Sequence, residues 1–354
     1  MIDTLDIQIT QSQSSRISEI DFDHIEFARI YSDHMFVSNY NDGEWQDNEI
    51  VPYDYFNISP ANTAIHYGQS IFEGLKAYKA GDGRTLIFRP TDNSKRLNKS
   101  GQRMCIPSVS EELFMGALTE LISLDKQWIP DRPDTSLYIR PFIFSMDEYI
   151  GIRPSAFFKF MIITCPVGPY YSTPVKVMIE THYTRAASGG AGYAKAAGNY
   201  GASLYPAKLA QDKGYHQLIW TDAKDHKYIE ESGTMNIMFV IADTLITPAV
   251  SDTILDGITR DSVITIAKDW GMKVEERKVE VEEVIGAAKD GNLKDAFGTG
   301  TAATIAHIEL IGYDGKDYML PPVEIREFSN KVLKELNNIK CGKIKDRFNW
   351  IYTI

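Results

Sequence analysis

The spacing of apolar residues divides the chain into short strands and amphipathic helices. Met35–Tyr40, the Asn41-Asp42-Gly43 turn and Glu44-Trp45 read as a hairpin, because Asp-Gly suits the positive-φ positions of a tight turn. Ahead of it, the first ~20 residues are polar and aperiodic and read as a loose arm. Ile65–Tyr78 is apolar at helical spacing and predicts a helix, and Thr85–Phe88 predicts a short strand. Asp92–Arg103 and Ser110–Trp128 read as amphipathic helices, the second opened by Ser110 with Glu111 and Glu112 at its positive end. Leu137–Phe144 and Phe157–Thr164 are β-rich. The run from Pro166 to Pro174 holds three prolines, which neither continue a helix nor sit in a central strand. It predicts a linker over 166–174 between a small N-terminal α/β domain, 1–165, and a larger C-terminal one, 175–354. In the second half, strands are expected at Val175–Glu180, Gln217–Thr221 and Asn236–Ile241. Helices are expected over Ala202–Lys213, Arg260–Trp270 and Pro322–Leu336, the first two ending at Gly214 and Gly271. Strands outnumber long helices and many neighbours are hairpin-linked, which favours α+β over a doubly wound sheet.

Composition narrows the class. At 354 residues, 44% hydrophobic and 24% charged, the chain is an ordinary globular protein of about two domains. A net charge of −11 argues against nucleic acid as a partner, since phosphate-binding surfaces gather Lys and Arg. Cys105, Cys165 and Cys341 are odd in number and widely spaced, with no zinc-ligand spacing, so no metal is expected and a reducing compartment is. Met1–Asp23 has no apolar core of a signal peptide. Of the two most apolar windows, Phe157–Val167 is too short to span a bilayer and Ile237–Val250 carries Asp243. The expectation is a cytoplasmic protein without a membrane partner.

The most unusual segment is Ser188-Gly-Gly-Ala-Gly-Tyr-Ala-Lys195-Ala-Ala-Gly-Asn-Tyr200-Gly. A lysine among glycines and alanines is either a solvated loop residue or a buried amine of depressed pKa, which suits a Schiff-base nucleophile. Phe297-Gly-Thr-Gly-Thr-Ala-Ala303 and Leu255-Asp-Gly-Ile-Thr-Arg260 each offer backbone N–H groups to an anion, the second at the start of a helix. An amine together with anion cradles suggests pyridoxal phosphate, PLP. That cofactor also needs a carboxylate at its ring nitrogen, and Glu230 and Glu231 are candidates; paired glutamates at a strand end are otherwise a solvated turn.

In composition and order, the sequence resembles the branched-chain amino acid aminotransferases, which are fold-type IV PLP enzymes. The motifs are His66-Tyr-Gly-Gln-Ser-Ile-Phe-Glu-Gly-Leu-Lys-Ala-Tyr78, Tyr138-Ile-Arg140-Pro, Lys195-x4-Tyr200-Gly, Glu231-Ser-Gly-Thr-Met-Asn236, Leu255-Asp-Gly-Ile-Thr-Arg260 and Gly300-Thr-Ala302. The resemblance runs from about Phe36 to the C-terminal helix. It implies a two-domain fold with the cofactor at the domain interface, a homodimer, and amino transfer from L-leucine, L-isoleucine or L-valine to 2-oxoglutarate. It implies that Lys195 forms the Schiff base and then moves a proton, Glu231 pairs with the ring nitrogen, and Tyr200 bonds the ring's phenolic oxygen. Arg89, Ile258, Thr259 and Thr301 would hold the phosphate. The substrate α-carboxylate would meet the N–H groups of Thr301 and Ala302, with Tyr138 helping, and Arg140 would take a second carboxylate or organise the carboxylate-binding loop. Phe72, Tyr78, Tyr200 and Thr234 would wall an apolar pocket, with Phe36 and Tyr31 approaching it. Some animal members carry a redox-active CxxC just after the Gly-Thr-Ala turn, where this chain has Ala303 and Ala306, so no thiol switch is expected there. The rival readings are a D-amino acid aminotransferase or aminodeoxychorismate lyase of the same fold type, and a non-catalytic PLP-binding scaffold.

Overall fold

A computed structural model describes residues 6–354, which form two compact units. One comprises the chain up to Tyr170 with Ala194–Gly198 and Asn338–Ile354; the other comprises Tyr171–Tyr193 and Asn199–Asn337.

The elements of the first unit are β1 (Gln8–Ile9), β2 (His34–Asn41), β3 (Glu44–Pro52), α1 (Thr63–Tyr67), β4 (Ser70–Phe72), β5 (Leu75–Lys79), β6 (Thr85–Phe88), α2 (Pro90–Arg103), α3 (Glu111–Leu124), β7 (Ser136–Ser145) and β8 (Phe158–Val167). They build one sheet in the order β1-β3-β2-β8-β7-β5-β6, with β4 on β7 and the C-terminal strand Ile351–Thr353 beyond β6. Strand alternation sorts its faces. Leu137, Ile139 and Ile143 of β7, Leu75 and Ala77 of β5 and Ile71 of β4 pack in one core with Leu97 of α2 and Leu113, Phe114, Leu118 and Leu121 of α3. The intervening residues share the opposite face, where Lys76 stands across from Tyr138 and Phe72 from Phe142. Ser110 caps α3 as expected, accepting the Leu113 N–H at 3.0 Å.

Ile65–Tyr78 is not one helix. Asn62 caps α1, which stops at Gly68 in the left-handed region (φ 66°), and two strands follow. The apolar positions Ile71, Leu75 and Ala77 fit a strand's alternation as well as a helical stripe. Between the strands, a Cβ at Gly74 would collide with the Tyr138 hydroxyl. Residues 1–5 of the expected arm lie outside the described residues; from residue 6 on, the arm is tied down rather than loose. β1 runs parallel to β3, Ser15 Oγ and the Arg16 N–H donate to Asp33, and the Ser12 N–H donates to His34 Nε2.

The remaining elements are β9 (Val175–Ile179), α4 (Ala197–Gly201), α5 (Leu204–Asp212), β10 (Gln217–Thr221), β11 (Tyr228–Ser232), β12 (Met235–Ile241), β13 (Thr244–Pro248), α6 (Ile258–Asp269), β14 (Lys273–Arg277), β15 (Val279–Glu280), α7 (Val281–Lys289), β16 (Leu293–Gly300), β17 (Thr304–Tyr313), β18 (Lys316–Met319) and α8 (Glu327–Lys340). The second unit's sheet runs β14-β13-β12-β16-β17-β9-β10-β11-β15, with β18 on β17. Because β11 also pairs with β12, the six strands from β12 to β11 close on themselves. Val177, Ile219, Ile237, Phe239 and Ile308 pack there with Val284 and Ile285 of α7.

The chain leaves the first unit between Tyr170 and Tyr171, inside the proline-rich run. Pro166 and Val167 still belong to β8, where β7 is paired but the register with β2 has ended at Ile162. Two later segments depart from a simple cut at 166–174. Ala194–Gly198 and Asn338–Ile354 both return to the first unit, the latter because its terminal strand adds to β6.

Candidate active site

Lys195 sits in the first unit for a reason its neighbours supply. Ala194 and Ala196 are buried in that unit's core, and Ala196 bridges to Ile71 of β4. The Lys195 carbonyl accepts the Phe72 N–H at 3.1 Å, and its own N–H donates to Ser100 Oγ at 2.9 Å. The small flanking residues let the segment lie against β4, and alternation sends the lysine side chain away from the two alanines. Its Nζ lies 4.8 Å from the Phe72 ring centroid.

That ring serves a second cation. The Arg140 guanidinium lies 4.6 Å from the Phe72 centroid and 5.3 Å from that of Tyr138, and donates to the Tyr138 hydroxyl at 2.9 Å. Its buried Nε has no hydrogen-bond partner among the described residues. Lys76, which stands opposite Tyr138, is buried, and loss of hydration brings its amine down to about 8. Tyr78 is buried too, and burial raises its phenol. Phe36 lies in the hydrophobic core under the helices rather than with these groups. Tyr31 stacks on Tyr53 at 5.0 Å.

Sequence reasoning missed two features here. Phe27, between the arm and the hairpin, meets the Tyr138 ring edge-on at 5.6 Å, and no local signal pointed to it. Glu73, directly after Phe72, is fully buried. It accepts from Arg96 Nε and Nη2 at 2.7 and 2.8 Å and from Asn93 at 2.7 Å. Burial alone would raise its carboxyl, but Arg96, with help from Lys195 and Asn93, brings it below the ordinary value. The readable signal was a lone charge inside the apolar run Ile71–Leu75, which demands a partner once buried. Arg89 is the residue before α2, in the left-handed region (φ 52°); its Nε meets Asp92 at 2.6 Å, and its guanidinium lies over Trp350.

The second unit holds the other candidates. Glu231, on β11, accepts the Leu255 N–H at 2.7 Å and lies 3.2 Å from Arg185 Nε. Glu230 accepts the Thr253 hydroxyl at 2.6 Å, and its other oxygen is buried without a hydrogen-bond partner among the described residues. Burial, the leading influence, raises its carboxyl. Of the pair, Glu231 is therefore the one that ion-pairs with Arg185. Asn236 donates to the Leu255 carbonyl at 2.8 Å, and a Cβ at Gly257 would collide with the Asn236 amide. Ile258 and Thr259 open α6 behind Gly257, which supplies no side-chain cap. Thr301 and Ala302 form the half-buried turn from β16 to β17. Tyr200 is half-buried in α4, and Thr234 is exposed at the β11–β12 turn.

Residues 70–311 match the family model for class IV amino-transferases. The chain is 43% identical over 351 residues to the branched-chain-amino-acid aminotransferase 2 of Bacillus subtilis, covering 98% of this chain and 96% of that one. Among solved structures it is similar to the branched-chain aminotransferase of Thermoproteus uzoniensis with norvaline, with a TM-score of 0.75, 28% identity and coverage of 90% and 99% of the two chains. It is also similar to the T.th. branched-chain amino acid aminotransferase complexed with N-(5′-phosphopyridoxyl)-L-glutamate, with a TM-score of 0.72, 25% identity and coverage of 90% and 97%.

Proposed function

Because the chain belongs to the class IV aminotransferases, in their branched-chain branch, we propose that it moves the amino group of L-leucine, L-isoleucine or L-valine to 2-oxoglutarate with pyridoxal 5′-phosphate. The observation that carries this reading is the Phe72 ring, which has the Lys195 amine at 4.8 Å and the Arg140 guanidinium at 4.6 Å. An amine able to hold the cofactor as a Schiff base and a cation able to take a substrate carboxylate thus share one aromatic surface.

The residues fit the cofactor. Glu231 is a buried carboxylate kept beside a cation, as a ring nitrogen requires. Ile258 and Thr259 present a helix start to an anion, with Arg89 and Thr301 as further phosphate ligands. Tyr200 would bond the phenolic oxygen, and Thr234 would border the ring. When bound, pyridoxal phosphate supplies a sink for the electron pair left on the substrate α-carbon. Lys195 Nζ would take the substrate α-proton and hold it for return, as base and then acid. Thr301 and Ala302 N–H groups, with Tyr138, hold the α-carboxylate. Arg140 holds the distal carboxylate of 2-oxoglutarate, and its unpartnered Nε supports that role. Phe72 and Tyr78 offer apolar walls, which separate leucine from valine weakly because one methylene is worth ~1–3 kcal/mol.

A homodimer belongs to the same reading. Tyr55, Ile65, Ile150 and Ile152 of the first unit are exposed, Tyr55 fully and Ile152 at 90%, and Tyr67, in α1 with Ile65, donates to the Ile150 carbonyl. Exposed apolar groups of this size in one unit suit cover by a second copy. Ile152→Asp is expected to convert dimer to monomer in sedimentation velocity; an unchanged dimer would remove this face from the interface.

The reaction itself is tested by the visible spectrum of the cofactor-loaded protein during titration with L-leucine, without acceptor. The yellow band is expected to bleach with L-leucine and to persist with D-alanine. Bleaching by D-alanine alone would move the chain to the D-amino acid aminotransferases, and a colourless protein that the cofactor cannot reconstitute would end the reading.

A further inference from the structure

We infer that Arg185 is a positioning residue that orients Glu231 and keeps it anionic toward the cofactor's ring nitrogen, an inference that rests on the role proposed for Glu231 above. Arg185 lies between β9 and α4, ahead of Lys195 in the chain. The two side chains are only 9% and 5% exposed. The guanidinium touches three segments of the second unit at once. Its Nε stands 3.2 Å from Glu231 Oε2 on β11. Its Nη2 donates to the Gly192 carbonyl at 3.3 Å, just before the lysine segment, and to the Thr253 carbonyl in the loop that leads to α6. The bonds to two backbone carbonyls fix the fork, so the carboxylate meets a cation that cannot swing away.

Glu231 Oε1 accepts the Leu255 N–H. Arg185 Nε makes no hydrogen bond among the described residues despite the short ion-pair distance, so its N–H is not aimed at Oε2. Arg185 therefore acts on Glu231 through charge. Without a nearby cation, a carboxylate this buried would take up a proton and become a donor, the wrong partner for a protonated ring nitrogen. Glu230, for which no ion pair is found among the described residues, shows the contrast: burial raises its carboxyl, and the Thr253 hydroxyl and the Arg185 charge only partly offset it.

The test compares two probes on the apo-protein, pyridoxal 5′-phosphate and its 1-deaza analogue, which has C–H in place of the ring nitrogen. The parent is expected to bind the first more tightly. Arg185→Met should weaken pyridoxal phosphate on the order of tenfold, the worth of one hydrogen bond to a charged group, while leaving the deaza analogue nearly unchanged. Equal weakening of both probes would make Arg185 merely structural and overturn the inference. Arg185→Lys keeps the cation without the fork. If the methionine variant does not fold, retained preference in the lysine variant supports the charge role, and equal loss for both probes overturns it. A parent that binds neither probe would sink the cofactor reading itself, whereas one that binds both equally would remove only Glu231 from the ring nitrogen.

Discussion

Lys195→Ala is expected to lower transamination on the order of 10³-fold or more, because one side chain both holds the cofactor and carries the proton. The loss should appear in a single half-reaction with L-leucine, before acceptor enters. Ala194 and Ala196 and the Lys195 backbone make the contacts that seat this segment on β4. The substitution removes only the side chain beyond Cβ, so the fold should survive. A second measurement separates chemistry from folding. Borohydride reduction of the loaded parent should leave the cofactor mass on the peptide containing Lys195, and the variant should show no such adduct. Turnover at the parental rate in Lys195→Ala would overturn the assignment of the nucleophile.

Arg96→Met should produce the largest loss of stability. It leaves Glu73 fully buried without the guanidinium that meets both of its oxygens. Breaking a buried pair by removing one partner costs about 3–5 kcal/mol, or a fall in Tm of about 4–7 °C for a chain of 354 residues. The pH dependence follows from the direction of the shift. In the parent the folded carboxyl lies below its ordinary value, so its contribution is complete above the unfolded carboxylate range and is lost as pH falls through the folded value. In Arg96→Met the unpaired carboxyl moves the other way, so acidification lets it take a proton and relieves the penalty. Thermal unfolding at pH 7 and pH 5 should therefore show a variant deficit that shrinks at the lower pH. A deficit equal at both would mean that Arg96 stabilises by packing, not by charge.

Much of the molecule was legible because its signals are local. The 41–43 turn, the Ser110 cap and the strand at Thr85–Phe88 depend on neighbours in sequence, and each formed as expected. The reading failed over Ile65–Tyr78, where three apolar positions satisfy two periods and the decision came from β7, the strand they pair with. It failed at the N-terminal arm as well, since the Asp33 side chain that holds Ser15 and Arg16 is itself fixed by Trp128 far along the chain. The Gly/Ala run around Lys195 was visible as an anomaly, but its meaning, small residues seated against β4, required the fold.

By itself, the sequence determined the family and the order of chemical groups along the chain: an amine among small residues, a glutamate ahead of an apolar strand, a helix start and a Gly-Thr-Ala turn. Residue type and spacing suffice for those, because backbone N–H donors, amines and carboxylates carry their chemistry wherever they are placed. Only the tertiary structure decided which of two adjacent glutamates ion-pairs with Arg185, that Phe72 faces two cations while Phe36 is core, and that Glu73 needs Arg96. Those outcomes rest on burial and on partners brought together from distant segments, and the cost of burying a charge is not a property of any stretch of sequence.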